Sequence, residues 1–400
     1  MLPGSCDNPE RMRVLSLLLV LAALGCDESA LPPRPQPAPT VSASAAGPKV
    51  HERVILSPVY QVDRIYKSMV GPQSTEQLKL SEKPELLWIV GFEAVMVEPE
   101  GGKTMSQEFM CHTNLDMNVD SHDELFGGEK RLTGRLFTLS QGQYRIDLPK
   151  GFGIPISSSE VLNLNTQVLN LNRREGRVDV RHRVVMRYVR DADLTTPYKP
   201  LYPAGAYGLK LLDGKDGHFG LDATPKNSGA EDHTACLPGQ NASTHSFGDG
   251  KGRSFTGHWV VKPGREVNHT RVTDIMDLPF DTTLHYVAVH LHPFAETLEL
   301  KDLTTGKTVY KARTRQADKG IGLAHVDFFS SAEGIPVYKG HEYEIVSTYN
   351  NTSGEDQDSM AVMNLYLLDK EFKKPDLSKK KTAPAPAKSA AEHQGHGKLM

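Results

Sequence analysis

Two histidines separated by one residue, His290 and His292, have types and spacing suited to metal chemistry. They lie in the run Leu284–Phe294, whose β-branched and aromatic residues are typical of a strand that stops before Pro293. Because side chains alternate along a strand, both imidazoles share a face with Leu284, Tyr286 and Ala288. The opposite, core face carries His285, Val287, Val289 and Leu291. Neutral imidazoles on one face can share an ion of copper, zinc, iron or nickel, although such a pair alone is more often solvated.

A later strand supplies a candidate third donor. The polar loop Tyr349–Asp358 leads into a predicted strand from Ser359 to Leu368. Alternation gives this strand an apolar face with Ala361, Met363, Leu365 and Leu367, and a mixed face with Met360, Val362, Asn364 and Tyr366. Met360 is therefore the candidate for the site, and Met363 belongs to the core. A thioether is a soft ligand that suits Cu(I), so the set indicates copper rather than zinc.

The order His290, His292 and then Met360, preceded by Asp358-Ser359, resembles the C-terminal domain of copper type II, ascorbate-dependent monooxygenases. This family includes peptidylglycine α-hydroxylating monooxygenase and dopamine β-monooxygenase, and the likeness covers roughly 255–369. The resemblance implies that these three residues are copper ligands and catalytic residues. It also implies ascorbate as reductant, and O2 as the oxidant that hydroxylates a C–H bond of a small-molecule or peptide substrate.

Residues 54–195 are predicted to form an N-terminal β-sandwich domain, since short strands alternate there with Gly, Pro, Asn and Asp turns. In the resembled family this domain holds an electron-storing copper on three histidines. Cys111-His112 stands where that domain has an adjacent histidine pair, so His112 is a candidate ligand of a second copper. Gln167–Asn172, where the third histidine is expected, contains none, so the site is predicted to be degenerate. His182, between two arginines, is predicted to be solvated.

Residues 196–252 are predicted to connect the two domains, because they are rich in Gly, Pro, Asp and Asn. They carry Cys236, the partner in the mature core for Cys111. A disulfide between the two is the favoured interpretation in an exported protein. A replacement metal site formed by Cys111, His112, His233 and Cys236 is the alternative, and the sequence does not decide between them.

Both ends of the chain have the composition of processing or tether segments. Residues 1–25 resemble a bacterial lipoprotein signal peptide, with Arg11 and Arg13 before a short apolar run, and Cys26 is the predicted lipidation site. A secretory peptide cleaved nearby is the alternative. Residues 26–53 are predicted to be a Pro/Ala/Ser tether, and 371–400 a disordered tail. The protein is thus expected to be exported and membrane-anchored through lipid, in the periplasm or at the cell surface.

The chain is predicted to be all-β, with two jelly-roll-like β-sandwich domains in tandem, the second spanning 253–370. With 400 residues, 24% charged and a net charge of −3, it has no basic excess to indicate nucleic acid. The other histidines of the second domain are predicted to be structural or to orient metal ligands rather than to bind the metal: His258, His269, His285, His325 and His341. The favoured function is a copper oxidoreductase. An extracytoplasmic copper carrier without catalysis is the alternative, and a surface interaction protein is the third hypothesis.

Overall fold

Strands with alternating buried and exposed side chains account for most of the described chain. The computed structural model describes residues 47–127, 133–211, 247–248 and 254–377. In the strand Val178–Arg190, for example, Val180, Val184 and Met186 are buried in the core, whereas Arg181 and Arg183 are partly exposed. This period of two is what a sheet covered on one side requires.

The N-terminal part folds into strands joined by short turns. A single α-helix among its described residues, α1 (Val119–Phe126), begins at Asn118, whose side chain accepts a hydrogen bond from the backbone N–H of Ser121 at 2.8 Å. The strands are β1 (Val50–Leu56), β2 (Tyr60–Val62), β3 (Gln73–Leu78), β4 (Leu86–Val97), β5 (Met110–Met117), β6 (Arg135–Ser140), β7 (Arg145–Asp147), β8 (Phe152–Ser157), β9 (Leu162–Val168) and β10 (Val178–Arg190).

The C-terminal part is built in the same way and contains the short helix α2 (Thr273–Met276). Its strands are β11 (Lys199–Tyr207), β12 (Lys210–Leu211), β13 (Phe247–Gly248), β14 (Ser254–Thr256), β15 (His258–Val261), β16 (Gly264–Arg271), β17 (Thr282–Leu291), β18 (Ala295–Asp302), β19 (Lys307–Gln316), β20 (Leu323–Val326), β21 (Phe329–Val337), β22 (Tyr343–Asn351) and β23 (Gln357–Leu368).

These strands form two β-sandwiches in tandem, which confirms the predicted fold class. In the first, the sheet β3-β9-β5-β6 faces β10, β4 and β8, and Phe92 stacks on Phe137 in the core between them at 5.2 Å. In the second, the sheet β16-β22-β18-β19-β20 faces β23 and β17. Its core buries Leu298 and Ile345 from one side and Val289 and Met363 from the other.

The two sandwiches share one large sheet with the strand order β1-β10-β4-β8-β11-β23-β17-β21. The junction is a short parallel ladder between β8 and β11, in which Phe152 pairs with Lys199 and Gly153 with Pro200. All other neighbours along this order are antiparallel. The described residues accordingly fall within one compact unit.

Two predicted segment boundaries differ from the structure. The connecting segment predicted from residue 196 begins with β11, which lies in the middle of the large sheet and pairs with β23 along Leu201–Tyr207. Its Pro and Gly residues suggested a loop, but the side chains of Ala204 and Ala206 are buried in the C-terminal core. The tether predicted to reach residue 53 ends earlier, because β1 begins at Val50 and pairs with β10.

Candidate metal centre

The histidine strand β17 contains a β-bulge at His285, where the register with β21 and β23 shifts. Leu284 therefore lies in the core with Val287, and not on the Tyr286 face as uninterrupted alternation predicts. The predicted position of His285 on the Val287 face is also wrong. Its ring packs against Phe152 of the N-terminal core at 4.3 Å between ring centres, away from Val287.

Beyond the bulge the predicted alternation holds. Tyr286 and Ala288 join the N-terminal core, whereas Val287, Val289 and Leu291 join the C-terminal core. His290 and His292 continue the face of Tyr286 and Ala288, and both imidazoles are buried. Their ring centres are 5.3 Å apart and the ring planes are nearly perpendicular. The structure thus brings the two predicted donors together.

Met360 lies on the adjacent strand β23 and its side chain is buried. Val362, two residues further along β23, pairs with His290, so Met360 shares a sheet face with the histidines. Met363 belongs to the C-terminal core with Ala361, Leu365 and Leu367, which confirms the predicted assignment of the two methionines to opposite faces. Met360 instead packs with Tyr207, Leu209 and Val362 in a small separate cluster.

A third histidine, His258, belongs to the same face, although the sequence predicted a structural role for it. His258 begins β15 and is the direct cross-strand partner of Met360. Its side chain is fully buried, and its ring centre is 5.7 Å from that of His292. The signal in the sequence was the strand pattern His258–Val261. Its pairing with β23 depends on a long-range contact that the sequence does not reveal.

Asp358 orients His292. The Nδ1 atom of His292 is 2.9 Å from a carboxylate oxygen of Asp358, and both side chains are buried. Burial by itself raises the pKa of the Asp358 carboxyl, but the neighbouring His292 imidazole outweighs this and holds the pKa below its usual value. A carboxylate on one ring nitrogen leaves Nε2 as the donor for a metal, an arrangement common among metal-binding histidines.

Tyr349 of β22 connects the backbones of the two ligand strands and was not singled out from the sequence. The N–H groups of His292 and Met360 each donate to its hydroxyl at 3.3 Å. The hydroxyl in turn donates to the carbonyl of Met360. A single buried phenol therefore holds the end of the histidine strand against the start of the methionine strand.

Replacing Tyr349 by phenylalanine should weaken copper binding about tenfold and lower the free energy of unfolding by about 1–3 kcal/mol, because two N–H groups and a carbonyl lose their shared partner. Tyr343→Phe is the matched control. Its hydroxyl also bonds to backbone, at Tyr338, but lies away from the histidines. Copper titration measures the copper affinity of both variants, and denaturant unfolding measures their free energies of unfolding. Equal copper affinities in both variants would contradict the positioning role.

A cavity of about 310 Å³, including its open mouth, lies beside these residues at the boundary between the sandwiches. The C-terminal part contributes His290, Leu291, His292, Pro293 and Asp358, and the N-terminal part contributes Ser68, Met110, Cys111, Ser140, Gln141, Leu169 and Leu171. The histidine pair of the C-terminal site and Cys111, the neighbour of His112, thus line one cavity. Its walls come from several separate stretches of sequence in both sandwiches.

Burial favours the neutral form of two imidazoles, those of His290 and His112. It lowers the pKa of His290 well below its ordinary value, and repulsion from His292 and His112 adds to this. Burial likewise lowers the pKa of His112 to about 3, with further repulsion from Arg135, His182 and His292. Within the described residues, Nδ1 of His290 is buried without a hydrogen-bond partner. A neutral imidazole with an unused nitrogen is in the correct state to bind a metal.

The N-terminal part offers a less complete set of candidate metal ligands. Cys111 is buried, and burial raises the pKa of its thiol to about 12. His112 pairs across the sheet with Gln167, in the segment where the resembled family has its third histidine. The prediction that His182 is solvated is wrong: its side chain is fully buried, and Nδ1 lies 2.8 Å from the Thr113 hydroxyl. The charged neighbours of His182 misled the prediction, because they point away from the core.

Several predicted features lie outside the described residues, namely the signal peptide, the lipidation site Cys26, His233 and the cysteine Cys236. The predicted disulfide of Cys111 therefore stays a prediction. No helix in the described ranges is both long and apolar enough to cross a membrane. His269, His325 and His341 each contact a carboxylate, at Glu344, Asp327 and Asp302, consistent with their predicted structural roles.

The candidate donors fit a copper ion by their chemistry, while their side chains are not arranged around one position. Among residues 47–127, 133–211 and 254–377, no three His, Cys, Asp or Glu side chains are already arranged to hold a metal. The chemistry of the donors nevertheless fits copper, since two imidazoles and a thioether share one face and Nδ1 of His290 has no hydrogen-bond partner within the described residues. Binding requires the imidazoles to turn about their side-chain torsions toward one point.

Comparisons with known proteins do not identify the chain. No protein-family model matches it, and no curated protein matches it. Among solved structures it is similar to the major capsid protein P2 of bacteriophage PM2, at 6% identity and a TM-score of 0.28, over 80% of this chain and 100% of that one. It is also similar to PBCV-1 VP54 fitted into a reconstruction of the virophage Sputnik, at 9% identity and a TM-score of 0.32, over 82% and 96%. TM-scores this low carry no argument about function.

Proposed function

We propose that this protein is a copper-binding oxidoreductase similar to the ascorbate-dependent monooxygenases, with copper held by His290, His292 and Met360. The supporting observation is that two buried imidazoles and a buried thioether share one sheet face. The two imidazoles also line a cavity. Burial keeps His290 neutral, as a ligand must be. A mixed imidazole and thioether set suits both oxidation states of copper.

Each part of the site has a role in this proposal. Copper bound there would supply one-electron chemistry between its two oxidation states. Asp358 lies 2.9 Å from Nδ1 of His292 and would orient the ring, and Tyr349 keeps His292 and Met360 in register. The cavity accepts the reacting group of a small-molecule or peptide substrate beside the histidines. Its largely buried walls, including Met110 and Leu169, limit water at the site.

The incomplete N-terminal site predicts one copper per chain, and the electron balance of the reaction then determines what the reductant must supply. Hydroxylation of a C–H bond by O2 gives an alcohol and water, and it consumes two electrons and two protons from a donor. The resembled enzymes store one electron on each of two coppers. Here His112 faces Gln167 where another histidine is expected, so storage at the N-terminal site is incomplete. Ascorbate, or another reductant, must then deliver both electrons in succession to one copper.

A second candidate function is an extracytoplasmic copper carrier without catalysis. The burial of all three donors favours it, because a carrier must shield Cu(I) from oxidation and exchange. In either case the proposal includes export and a lipid anchor at Cys26, which would place the copper site outside the cytoplasm. The enzyme and the carrier differ in whether reduced copper reacts with O2.

Copper titration followed by electron paramagnetic resonance and oxygen uptake in ascorbate tests the proposal. Wild type should bind one copper tightly and consume oxygen slowly, and His292→Ala should lose both properties. Two equivalent tight coppers would overturn the one-copper prediction and restore a paired mechanism. One copper without oxygen uptake under any donor would favour the carrier. Absence of copper after reconstitution would overturn both copper functions and leave a surface interaction protein.

A further inference from the structure

His258 reaches the candidate copper site by a route that neither the resemblance nor the His-x-His spacing contains. It lies on β15, which pairs with the opposite edge of β23 from the histidine strand β17. At Met360 the strand β23 therefore has a histidine-bearing strand on either side. The pair His258 and Met360 is in direct cross-strand register, so both side chains leave the sheet on the same face.

Distances and burial place the imidazoles close enough for one ion to bind them once the side chains turn, since no three His, Cys, Asp or Glu side chains of the described residues are already arranged around a metal position. The ring centres of His258 and His290 lie 5.7 Å and 5.3 Å from that of His292, which is the common neighbour of both. Imidazoles bound to one metal at about 2.0–2.1 Å have ring centres on the order of 5–6 Å apart. His258 is fully buried and Met360 nearly so, so neither side chain faces bulk water.

We propose that His258 is a third imidazole ligand of the copper, which gives a donor set of His258, His290, His292 and Met360. This inference rests on the proposed copper site and adds a ligand to it. Four protein donors fill the coordination sphere that the three-donor set leaves open, and an open position is the mark of a catalytic metal site. Copper held by four protein donors would offer O2 less access than copper held by three. His258 thereby limits the reactivity of the reduced copper.

Two consequences distinguish a ligand from a residue that only packs against the site. First, the Cu(II) form should carry three bound imidazole nitrogens rather than two. Second, removing His258 should weaken copper binding while opening a coordination position. Oxygen uptake per bound copper should therefore rise in the variant even though less copper is bound. A packing residue would weaken binding without raising the rate for each copper.

Pulsed electron paramagnetic resonance on copper-loaded wild type, with and without ¹⁵N-histidine, counts the bound imidazoles and does not depend on any variant folding. Three bound imidazoles are expected in wild type. Two are expected in each of the variants His258→Ala and His258→Gln. Copper affinity should fall more than the 10–100-fold typical of residues that only orient a ligand. His285→Ala is the matched control, a buried histidine of β17 packed on Phe152, and it should keep three imidazoles and wild-type affinity.

The outcomes separate this inference from the proposed function. Two imidazoles in wild type, with tight copper, would overturn the role of His258 and leave the site of His290, His292 and Met360 intact. Unchanged affinity in His258→Ala would do the same. A wild-type protein that binds no copper would overturn the copper site itself and this inference with it. Three imidazoles in wild type and two in both His258 variants would support the four-donor site.

Discussion

Replacing His290 by alanine is expected to abolish tight copper binding, with a loss of at least about 100-fold in affinity. His290 lies at the end of β17 between His292 on its own strand and Val362 on β23, and its buried Nδ1 is unpaired within the described residues. Removing it takes one neutral donor and leaves a cavity that no neighbouring donor fills. Competition titration with a Cu(I) chelator measures the loss.

Two methionine variants provide the controls for this result. Met363→Leu should leave copper affinity unchanged, because Met363 is buried in the C-terminal core and the replacement is nearly isosteric. Met360→Leu should weaken Cu(I) more than Cu(II), since thioether softness matters most for the reduced ion. Equal loss of copper in His290→Ala and Met363→Leu would contradict the assignment of residues to sheet faces.

Phe137→Ala is expected to lower the free energy of unfolding by about 3–5 kcal/mol. Phe137 of β6 is fully buried and stacks on two rings of the large sheet, Phe92 of β4 at 5.2 Å and Tyr366 of β23 at 5.7 Å. One ring therefore packs against strands of both sandwiches. Its removal leaves a void that three strands border, so the loss exceeds that of an edge residue.

Denaturant unfolding followed by fluorescence and circular dichroism measures this effect. Val267→Ala is the control, since Val267 of β16 is 43% exposed and its truncation should change stability by no more than about 0.5 kcal/mol. A loss below about 1 kcal/mol for Phe137→Ala would contradict the central position assigned to its ring. Separate unfolding transitions for the two sandwiches would contradict their coupling through the shared sheet.

Local pattern predicted the strands well where one face is apolar. The predicted strand from Ser359 to Leu368 lies within β23, and the run predicted to stop before Pro293 overlaps β17. Alternation also separated Met360 from Met363 correctly, because β23 has no bulge along its pairing with β17 beyond Tyr286. These features depend on residues close in sequence, which pattern analysis compares directly.

The remaining errors have long-range causes. The bulge at His285 arises where β17 pairs with β21 and β23, and a run of residues does not show which strands will be its partners. His258 and Tyr349 enter the site through pairing and packing with distant segments. His182 was predicted to be solvated because two arginines flank it, although a strand places adjacent residues on opposite faces. The strand β11 was missed because its proline and glycine residues outweighed its burial pattern.

The shared sheet determines how the cavity can respond to a ligand. Its walls come from both sandwiches, yet β8, β11, β23 and β17 run as consecutive hydrogen-bonded neighbours between them. Clamp-like closure around a substrate needs a hinge, a few loop residues that absorb large backbone rotations, and such a sheet provides none at the junction. The cavity should therefore behave as a rigid receptor that selects its guest by size and shape, with the same aperture before and after the guest enters.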